Sequence, residues 1–235
     1  MSLYALNLSG CTGLGASKGN ALAAICDYMP YLKVLNLSYC GLVGKDSTPL
    51  KRIAKLQSLR ELDLSGNPGL GDAAVSSPGL ADLANGACPD LETLNLAGCG
   101  LSASGLAAFV DQGLARSPAN QGATIGVKRL CLDDNAIGDA GVIALGKYVA
   151  DAASGTSGAV PPRLEWLSLR NVGLSDSGAE QMSRLFLTVP TTACAKLRFS
   201  FKNNLDGVSL TTKGVSALQG LRLLKKIPVE CDPVA

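Results

Sequence analysis

The sequence predicts an α/β solenoid of about seven strand-and-helix units, with a parallel sheet on its concave side and helices on its convex side. One apolar pattern recurs seven times in order over most of the 235 residues. Segments with apolar residues at helical spacing follow several of its copies. Aromatic residues make up only 4% of a chain that is 47% hydrophobic, so small aliphatic side chains must fill the core. These features are typical of a repeat architecture.

The recurring pattern is Leu-x-x-Leu-x-Leu-x-x-Asn/Cys, and its copies begin at residues 3, 32, 59, 91, 127, 164 and 196. Its fourth and sixth positions alternate with polar residues, so a short strand directs both into one core. Neighbouring strands are expected to lie about 4.8 Å apart in a parallel sheet, which needs a crossover after each strand. The last copy is degenerate, with Lys196 first and Phe199 and Phe201 in place of leucines.

Helical crossovers are predicted where apolar residues follow helical spacing, at Leu101 to Val110, Ile137 to Val149 and Leu174 to Leu187. Ser77-Pro78 is typical of a helix start, and Ser177 with Glu180 fits a capping box.

The domain prediction is one unit over residues 1–235. The spacings of 36 and 37 residues after the fourth and fifth copies predict flexible insertions at 115–124 and 151–162, which are small, polar and contain proline. Residues 221–235 begin like an eighth repeat and then stop, so they are predicted to form a C-terminal cap.

Cysteine or asparagine occupies the ninth position of most copies. Asparagine can donate two N–H bonds to backbone groups where the strand turns away, whereas cysteine is a small buried group with a weak S–H. Cys11, Cys40 and Cys99 are therefore predicted to be buried and structural. The chain has no Cys-x-x-Cys pair, so we expect eight reduced thiols and no zinc site.

The clearest copy runs Asn135-Ala-Ile-Gly-Asp-Ala-Gly-Val-Ile-Ala-Leu145. With its neighbours it resembles the leucine-rich repeats of the long, helix-bearing subclass typified by ribonuclease inhibitor, over roughly residues 3–220. The resemblance implies a horseshoe whose concave parallel sheet binds other proteins. Two features depart from that subclass, because the 36- and 37-residue spacings are long and Val172 replaces Asn or Cys at a ninth position.

Several kinds of chemistry find no support in the sequence. The absence of histidine removes the commonest general base and zinc ligand. Gly10 and Gly15 approach a phosphate-loop spacing, but Lys18 does not directly follow the second glycine. Asp133 and Asp134 could bind a cation, although two carboxylates are too few for a calcium cage. We therefore predict no enzyme, no cofactor and no metal site.

The candidate binding site lies on the later repeats. Positions three, five, seven and eight of each copy should face the concave side. The third position runs through Ala5, Val34, Glu61, Thr93, Arg129, Trp166 and Arg198, and the seventh through Ser9, Ser38, Ser65, Ala97, Asp133, Arg170 and Lys202. The early residues are mostly small, whereas the later ones carry charge and the only tryptophan, and Arg and Trp are typical of binding hot spots.

The predicted partner-binding residues are Arg129, Asp133, Asp134, Trp166, Arg170, Arg198 and Lys202. We expect the guanidinium groups of Arg129 and Arg198 to stack on the indole of Trp166. The seventh-position residues of the later repeats, Asp133, Arg170 and Lys202, form a second column that is mainly basic, which favours an acidic partner segment. The alternative is a solvated charged face without function, which an exposed indole makes less favourable.

These observations indicate a non-catalytic protein–protein interaction module, a scaffold or a subunit of a larger assembly. The alternative is a regulator of another enzyme, of GTPase-activating or inhibitor type. The formal net charge of +2 argues against nucleic acid as partner. The sequence contains no run of 18 apolar residues, so no membrane span is predicted. Without a signal-peptide pattern at the N-terminus, an intracellular, cytoplasmic location is expected. The first strand follows no capping segment, so a partner chain or a second copy is expected to cover that edge.

Overall fold

A computed structural model describes residues 3–16, 20–46, 48–75, 79–114, 127–154, 164–187, 189–190, 196–202, 204 and 210–231. Within these ranges one parallel sheet holds its strands in chain order. The strands are β1 (Ala5–Asn7), β2 (Val34–Asn36), β3 (Glu61–Asp63), β4 (Thr93–Asn95), β5 (Arg129–Cys131), β6 (Trp166–Ser168), β7 (Arg198–Ser200) and β8 (Val229–Glu230). This architecture confirms the predicted α/β solenoid. The continuous sheet supports the single domain, which stays a prediction.

Helices connect successive strands. They are α1 (Gly13–Ala16), α2 (Asn20–Tyr28), α3 (Thr48–Ile53), α4 (Leu80–Asp82), α5 (Ala103–Phe109), α6 (Gly138–Ser154), α7 (Asp176–Leu187) and α8 (Thr212–Lys225). A 3₁₀ turn at Asp72–Ala74 precedes α4, and π-helical segments at Leu83–Ala87 and Val110–Leu114 follow α4 and α5. The three predicted helical segments are thus confirmed. Among the described residues, no helix has both the length and the apolar character needed to span a bilayer.

The strand register aligns the fourth repeat position across the sheet. Leu35, Leu62, Leu94, Leu130, Leu167 and Phe199 pair in succession and are all buried. Leu6, in the edge strand β1, is only half-buried because only one side of β1 faces another strand among the described residues. That a partner chain or second copy covers this edge stays a prediction.

The C-terminal segment differs in detail from the expected cap. Residues 221–225 form the last turns of α8, and Lys226 ends that helix in the left-handed conformation, at φ 57°. The chain then adds β8 beside β7. In the preceding copy the predicted register holds, because Phe199 lies opposite Leu167, but Lys196 at its first position is exposed and the next residue, Leu197, is buried instead. An apolar side chain is required there, and Lys196 cannot supply it.

Two predictions about helix ends and insertions need correction. The start of α7 is capped by Ser175, whose Oγ accepts from the Gly178 N–H at 3.4 Å, rather than by a box of Ser177 and Glu180. Glu180 instead pairs with Lys213 at 2.8 Å and with Arg184 at 3.5 Å. The predicted insertion at 151–162 begins inside α6, which extends to residue 154. Residues 77–78, 115–124 and 155–162 lie outside the described residues.

Buried asparagines at the ninth position join consecutive repeats. The Asn135 Nδ2 donates at 2.8–3.0 Å to three carbonyls, those of Leu96, Leu132 and Asp133. Its Oδ1 accepts the N–H groups of Cys99 and Leu101 at 3.1 and 3.0 Å. Asn67 makes the same five bonds two repeats earlier, and Asn204 makes three of them. The amide thereby satisfies backbone groups that no helix or strand can pair.

Cysteines at the same position make fewer bonds. The buried thiols of Cys40 and Cys99 donate to the carbonyls of Leu8 and Leu64 in the preceding repeat, at 3.1 and 3.2 Å. The structural interpretation of these two cysteines is confirmed, but Cys11 is exposed because no earlier repeat covers it among the described residues. Seven cysteines are described and none of them is in a disulfide, while Cys194 lies outside the described residues.

Aspartates at the helix starts form a second link between repeats. Asp72 Oδ1 accepts the backbone N–H of Ser102 at 2.9 Å, and Asp176 Oδ1 accepts that of Thr211 at 2.7 Å. Their second oxygens accept the hydroxyl groups of the same residues. Asp139 binds Ser175 in the same way. Each bond orients the residue that begins the next helix, which sets the stacking of the convex layer.

Candidate partner-binding site

The register of the last strands brings the third-position residues together. Arg129 pairs with Trp166 across β5 and β6, and Trp166 pairs with Arg198 across β6 and β7. Both arginines are exposed, while Trp166 is half-buried. Strand alternation directs all three to the same side of the sheet, opposite to the buried fourth position. The sequence thus predicted this neighbourhood correctly.

These side chains line a hollow of about 470 Å³ on the sheet. Five further residues complete its lining, namely Glu165, Lys196, Phe199, Pro228 and Glu230. The sequence prediction missed all five. Glu165 and Lys196 occupy the second and first repeat positions, which were not assigned to the concave face. Glu230 lies in β8 and Pro228 directly precedes that strand, and a strand of two residues is too short to be recognised from sequence.

The expected stacking of arginine on tryptophan is not observed. Among the described residues the cation–π pair is between Lys33 and Tyr4, with the Lys33 Nζ 4.9 Å from the ring centroid. The arginines instead line an open hollow together with Trp166, so the space beside the indole is available. An unfilled space next to Trp and Arg is better suited to a partner than a pre-stacked ladder would be.

The column of seventh-position residues, Asp133, Arg170 and Lys202, is less basic than predicted. Lys202 Nζ lies 3.0 Å from Glu230 Oε2, and both side chains are about half exposed. An exposed pair of this kind contributes about 0–1 kcal/mol. Nevertheless, the pair offsets the positive charge that Lys202 was expected to present. The hollow itself keeps three cationic groups, on Arg129, Lys196 and Arg198, against the carboxylates of Glu165 and Glu230.

Asp133 and Asp134 form hydrogen bonds with the next repeat. The Asp133 Oδ1 accepts the backbone N–H of Arg170 at 2.8 Å, and the Asp134 Oδ1 accepts the Asn171 Nδ2 at 2.9 Å. Asp134 and Asn171 are both in the left-handed conformation, where short polar side chains are tolerated. In the described part of the chain, no three or more His, Cys, Asp or Glu side chains are placed to hold a metal ion.

The fifth repeat position changes character along the sheet. In the first four repeats it carries Asn7, Asn36, Asp63 and Asn95, and each side chain accepts the backbone N–H two residues ahead at 2.9–3.1 Å. In β6 and β7 it carries Ser168 and Ser200, which are buried. Ser168 is fully buried, at 0% exposure, and its Oγ has no hydrogen-bond partner among the described residues. An unpaired buried hydroxyl of this kind is unusual in a native structure.

A smaller hollow of about 220 Å³ lies on the earlier strands β2 to β4. Its charged lining residues are Glu61 and Asp63, beside Val34 and Thr93. The two halves of this face therefore differ in sign, with carboxylates on β3 and mainly cations around β5 to β7.

Comparison with known proteins supports the repeat assignment for the second to fifth repeats. Leucine Rich repeat models match residues 31–53, 55–77, 87–110 and 127–146. The ribonuclease inhibitor of Sus scrofa is 31% identical over 163 residues, which are 68% of this chain and 31% of that protein. The matched region thus spans about a third of the length of this relative.

Proposed function

We propose that this chain binds a protein partner at its concave face, on the premise that it belongs to the leucine-rich-repeat proteins of the ribonuclease-inhibitor-like kind. The family supports a protein–protein interaction role, and its members are generally non-catalytic. The finer proposal is a non-catalytic scaffold or a subunit of a larger assembly. The lack of histidine in the sequence supports a role without catalysis.

The observation that carries the proposal is the hollow around Trp166. It combines a half-buried indole with the exposed guanidinium groups of Arg129 and Arg198. Trp and Arg are enriched among residues that dominate binding energy, especially where a pocket admits an anchor from the partner. Three cations against two carboxylates, one of them paired with Lys202, favour an acidic partner segment.

The remaining candidate residues form the rim in this proposal. Asp133, Asp134, Arg170 and Lys202 lie on the turns that follow β5, β6 and β7. They are exposed or half-buried, and they lie beyond the carboxyl ends of these strands without lining the hollow. Rim charges of this kind affect association rate and orientation more than affinity.

The similarity to a ribonuclease inhibitor favours one alternative, an inhibitor of another enzyme. An inhibitor would cover the active site of its target, so adding the chain should reduce the target's activity in proportion to occupancy. A scaffold would leave the activity of its partner unchanged. An activity assay on the captured partner separates the two roles.

The cytoplasm is the proposed location, because reduced thiols persist in reducing compartments. Burial raises the pKa of Cys88 and of Cys99 to about 12 and that of Cys26 to about 11, which keeps these thiols protonated at neutral pH. Such thiols are poor nucleophiles and oxidise slowly.

Capture from a native extract of the source organism tests the proposal. The chain is immobilised as wild type and as the double variant Trp166→Ala with Arg198→Glu, and the bound proteins are quantified. The variant should bind the specifically captured partner at least ~2 kcal/mol more weakly, about 30-fold, with little change in melting temperature.

The matched control for this capture is Tyr28→Ala with Arg222→Glu, which removes an aromatic and reverses a charge at exposed helical sites. This control should capture the partner like wild type. Equal capture by wild type and the Trp166 variant would contradict binding at the hollow.

A further inference from the structure

We propose that the hollow selects a partner segment with the alternating pattern acidic-x-apolar-x-acidic, bound in extended conformation across β5, β6 and β7. This inference rests on the proposed function and makes its partner specific. The central apolar side chain would lie against Trp166. The two carboxylates would reach Arg129 on one side and Arg198 on the other.

The spacing of the strands carries the pattern. Arg129 and Arg198 stand at equivalent positions two strands apart, with Trp166 between them. At about 4.8 Å per strand, their Cα atoms lie roughly 10 Å apart. In an extended segment, alternate side chains share one side at about 6.6 Å intervals, so the outer two of three lie about 13 Å apart. The long, flexible arginine side chains can cover the remaining difference of roughly 2 Å on each side.

The size of the hollow matches a short extended stretch of a partner. The hollow has about 470 Å³. That space accommodates one large side chain together with a stretch of extended backbone.

The acidic groups of the hollow explain why the pattern needs a central apolar residue. Glu165 precedes Trp166 in the sequence and takes part in none of the salt bridges among the described residues. A continuous acidic run would bring a carboxylate against Glu165, and like charges at short distance repel. Two acidic residues separated by an apolar one avoid this contact. Replacing Glu165 by Gln should therefore strengthen binding of acidic segments.

Ser168 provides an independent observation at the same strand. It follows Trp166 by two residues, so strand alternation places both on one side of β6. Its buried Oγ has no hydrogen-bond partner among the described residues. A segment lying across β6 would bring main-chain N–H and C=O groups to this side of the strand, where they could pair with the hydroxyl if binding uncovers it.

Intrinsic fluorescence gives a direct test, because Trp166 is the only tryptophan in the chain. The probes are two capped heptapeptides of identical composition, Ser-Glu-Ser-Phe-Ser-Glu-Ser and the isomer Ser-Ser-Phe-Glu-Glu-Ser-Ser. The alternating peptide should shift the Trp166 emission and bind at least fivefold more tightly than the isomer. Its affinity should fall at least tenfold for Arg129→Glu and for Arg198→Glu, and rise two- to fivefold for Glu165→Gln.

The controls distinguish the failure of this inference from that of the proposed function. Arg222→Glu, on the exposed face of α8, should leave peptide binding unchanged, and a peptide with Lys in place of Glu should not bind. Equal affinity for the two isomers, or no binding of either, overturns the alternating pattern. In both cases the proposed function stands if Arg198→Glu still reduces capture of a native partner, and it fails if capture is unaffected.

Discussion

The concave faces of the first four strands, β1 to β4, and of the last four, β5 to β8, belong to one sheet but present different surfaces. In the first four, the side chains at position five are bound to their own backbone, as Asn36 is to the Ser38 N–H at 2.9 Å. In the later repeats, the Ser168 Oγ has no hydrogen-bond partner within the described part of the chain, and Arg129, Trp166 and Arg198 line an open hollow. Side chains that complete their own turn have little capacity left for a partner. The binding surface is therefore expected where the repeat consensus is broken.

Beneath this surface the two halves are alike. Asn67 on the early side and Asn135 on the late side make the same five backbone hydrogen bonds. The aspartate links at Asp72 and Asp176 likewise repeat across the two halves. Scaffold and surface can therefore be altered separately.

The largest expected effect tests whether the two halves share one scaffold. Asn67→Ala and Asn135→Ala each remove five hydrogen bonds to the backbone, although the Ser65 and Asp133 carbonyls keep the N–H groups of Tyr39 and Gly98. Each buried backbone group left unpaired costs about 1–3 kcal/mol before relaxation. We expect each variant to lose about 3–5 kcal/mol of unfolding free energy, measured by urea denaturation.

Asn135→Cys serves as the control, because repeats two and four use cysteine at this position, and it should recover part of the loss. A loss below about 1 kcal/mol for either alanine variant would mean that water replaces the amide in that half.

Two cysteines at the ninth repeat position, Cys11 and Cys99, differ in burial and allow the first repeat to be compared with an interior one. Cys11 is exposed, whereas Cys99 is buried and its pKa is raised to about 12 by burial. Only the thiolate reacts, so Cys11 should be alkylated by iodoacetamide at pH 8 at least ~100-fold faster than Cys99 in the native protein. Mass spectrometry of the digested protein measures each site. Similar rates at the two sites would show that the repeat containing Cys99 opens readily.

Much of the scaffold could be predicted because its signals are local and repeated. Leu130 and Leu167 follow the same period as five other copies, and the register of the sheet follows from it. What could not be predicted depends on contacts between repeats. The positions of the Asp139–Ser175 bond and of the exposed Cys11 are set by the neighbouring unit, which the pattern of one unit does not reveal.

The candidate site was predicted in part for the same reason. Arg129, Trp166 and Arg198 share a repeat position, so their proximity followed from the period alone. The side-chain directions did not follow, and the expected stacking was wrong. Glu230 was missed because a strand of two residues carries no recognisable period, although it pairs with Lys202 and lines the hollow.

Acid stability should show that the aspartate links operate in both halves. Burial would raise the pKa of Asp72, but hydrogen bonds from Ser102 and Ser104 outweigh it and hold that pKa below its usual value. Hydrogen bonds from Thr211 lower the pKa of Asp176. Because both folded-state pKa values are depressed, the links stabilise the protein above the unfolded pKa of about 3.9 and are lost as pH falls through the folded values.

The unfolding free energy should therefore decline below about pH 4, and Asp72→Asn and Asp176→Asn should each flatten that decline. Urea unfolding at several pH values between 7 and 3 measures it. Asp46→Asn is a control, since among the described residues its side chain accepts the local N–H of Thr48 and bonds to no neighbouring repeat. If Asp72→Asn flattens the profile and Asp176→Asn does not, the late half is held together differently.

The smallest expected effect compares a buried serine in the late half of the concave face with one in the early half. Ser168→Ala removes a buried hydroxyl without a described partner, so the cost of its burial disappears and the unfolding free energy should rise by up to about 1 kcal/mol. Ser38→Ala in the early half removes a hydroxyl that bonds Asn36 Oδ1 at 2.8 Å and Ser9 Oγ at 2.7 Å, so it should lower stability by about 0.5–1.5 kcal/mol. Urea denaturation of both variants beside wild type measures these opposite signs. A loss of stability in Ser168→Ala would mean that its hydroxyl is already satisfied in the free protein. The late face would then resemble the early one, with its polar groups committed to the fold.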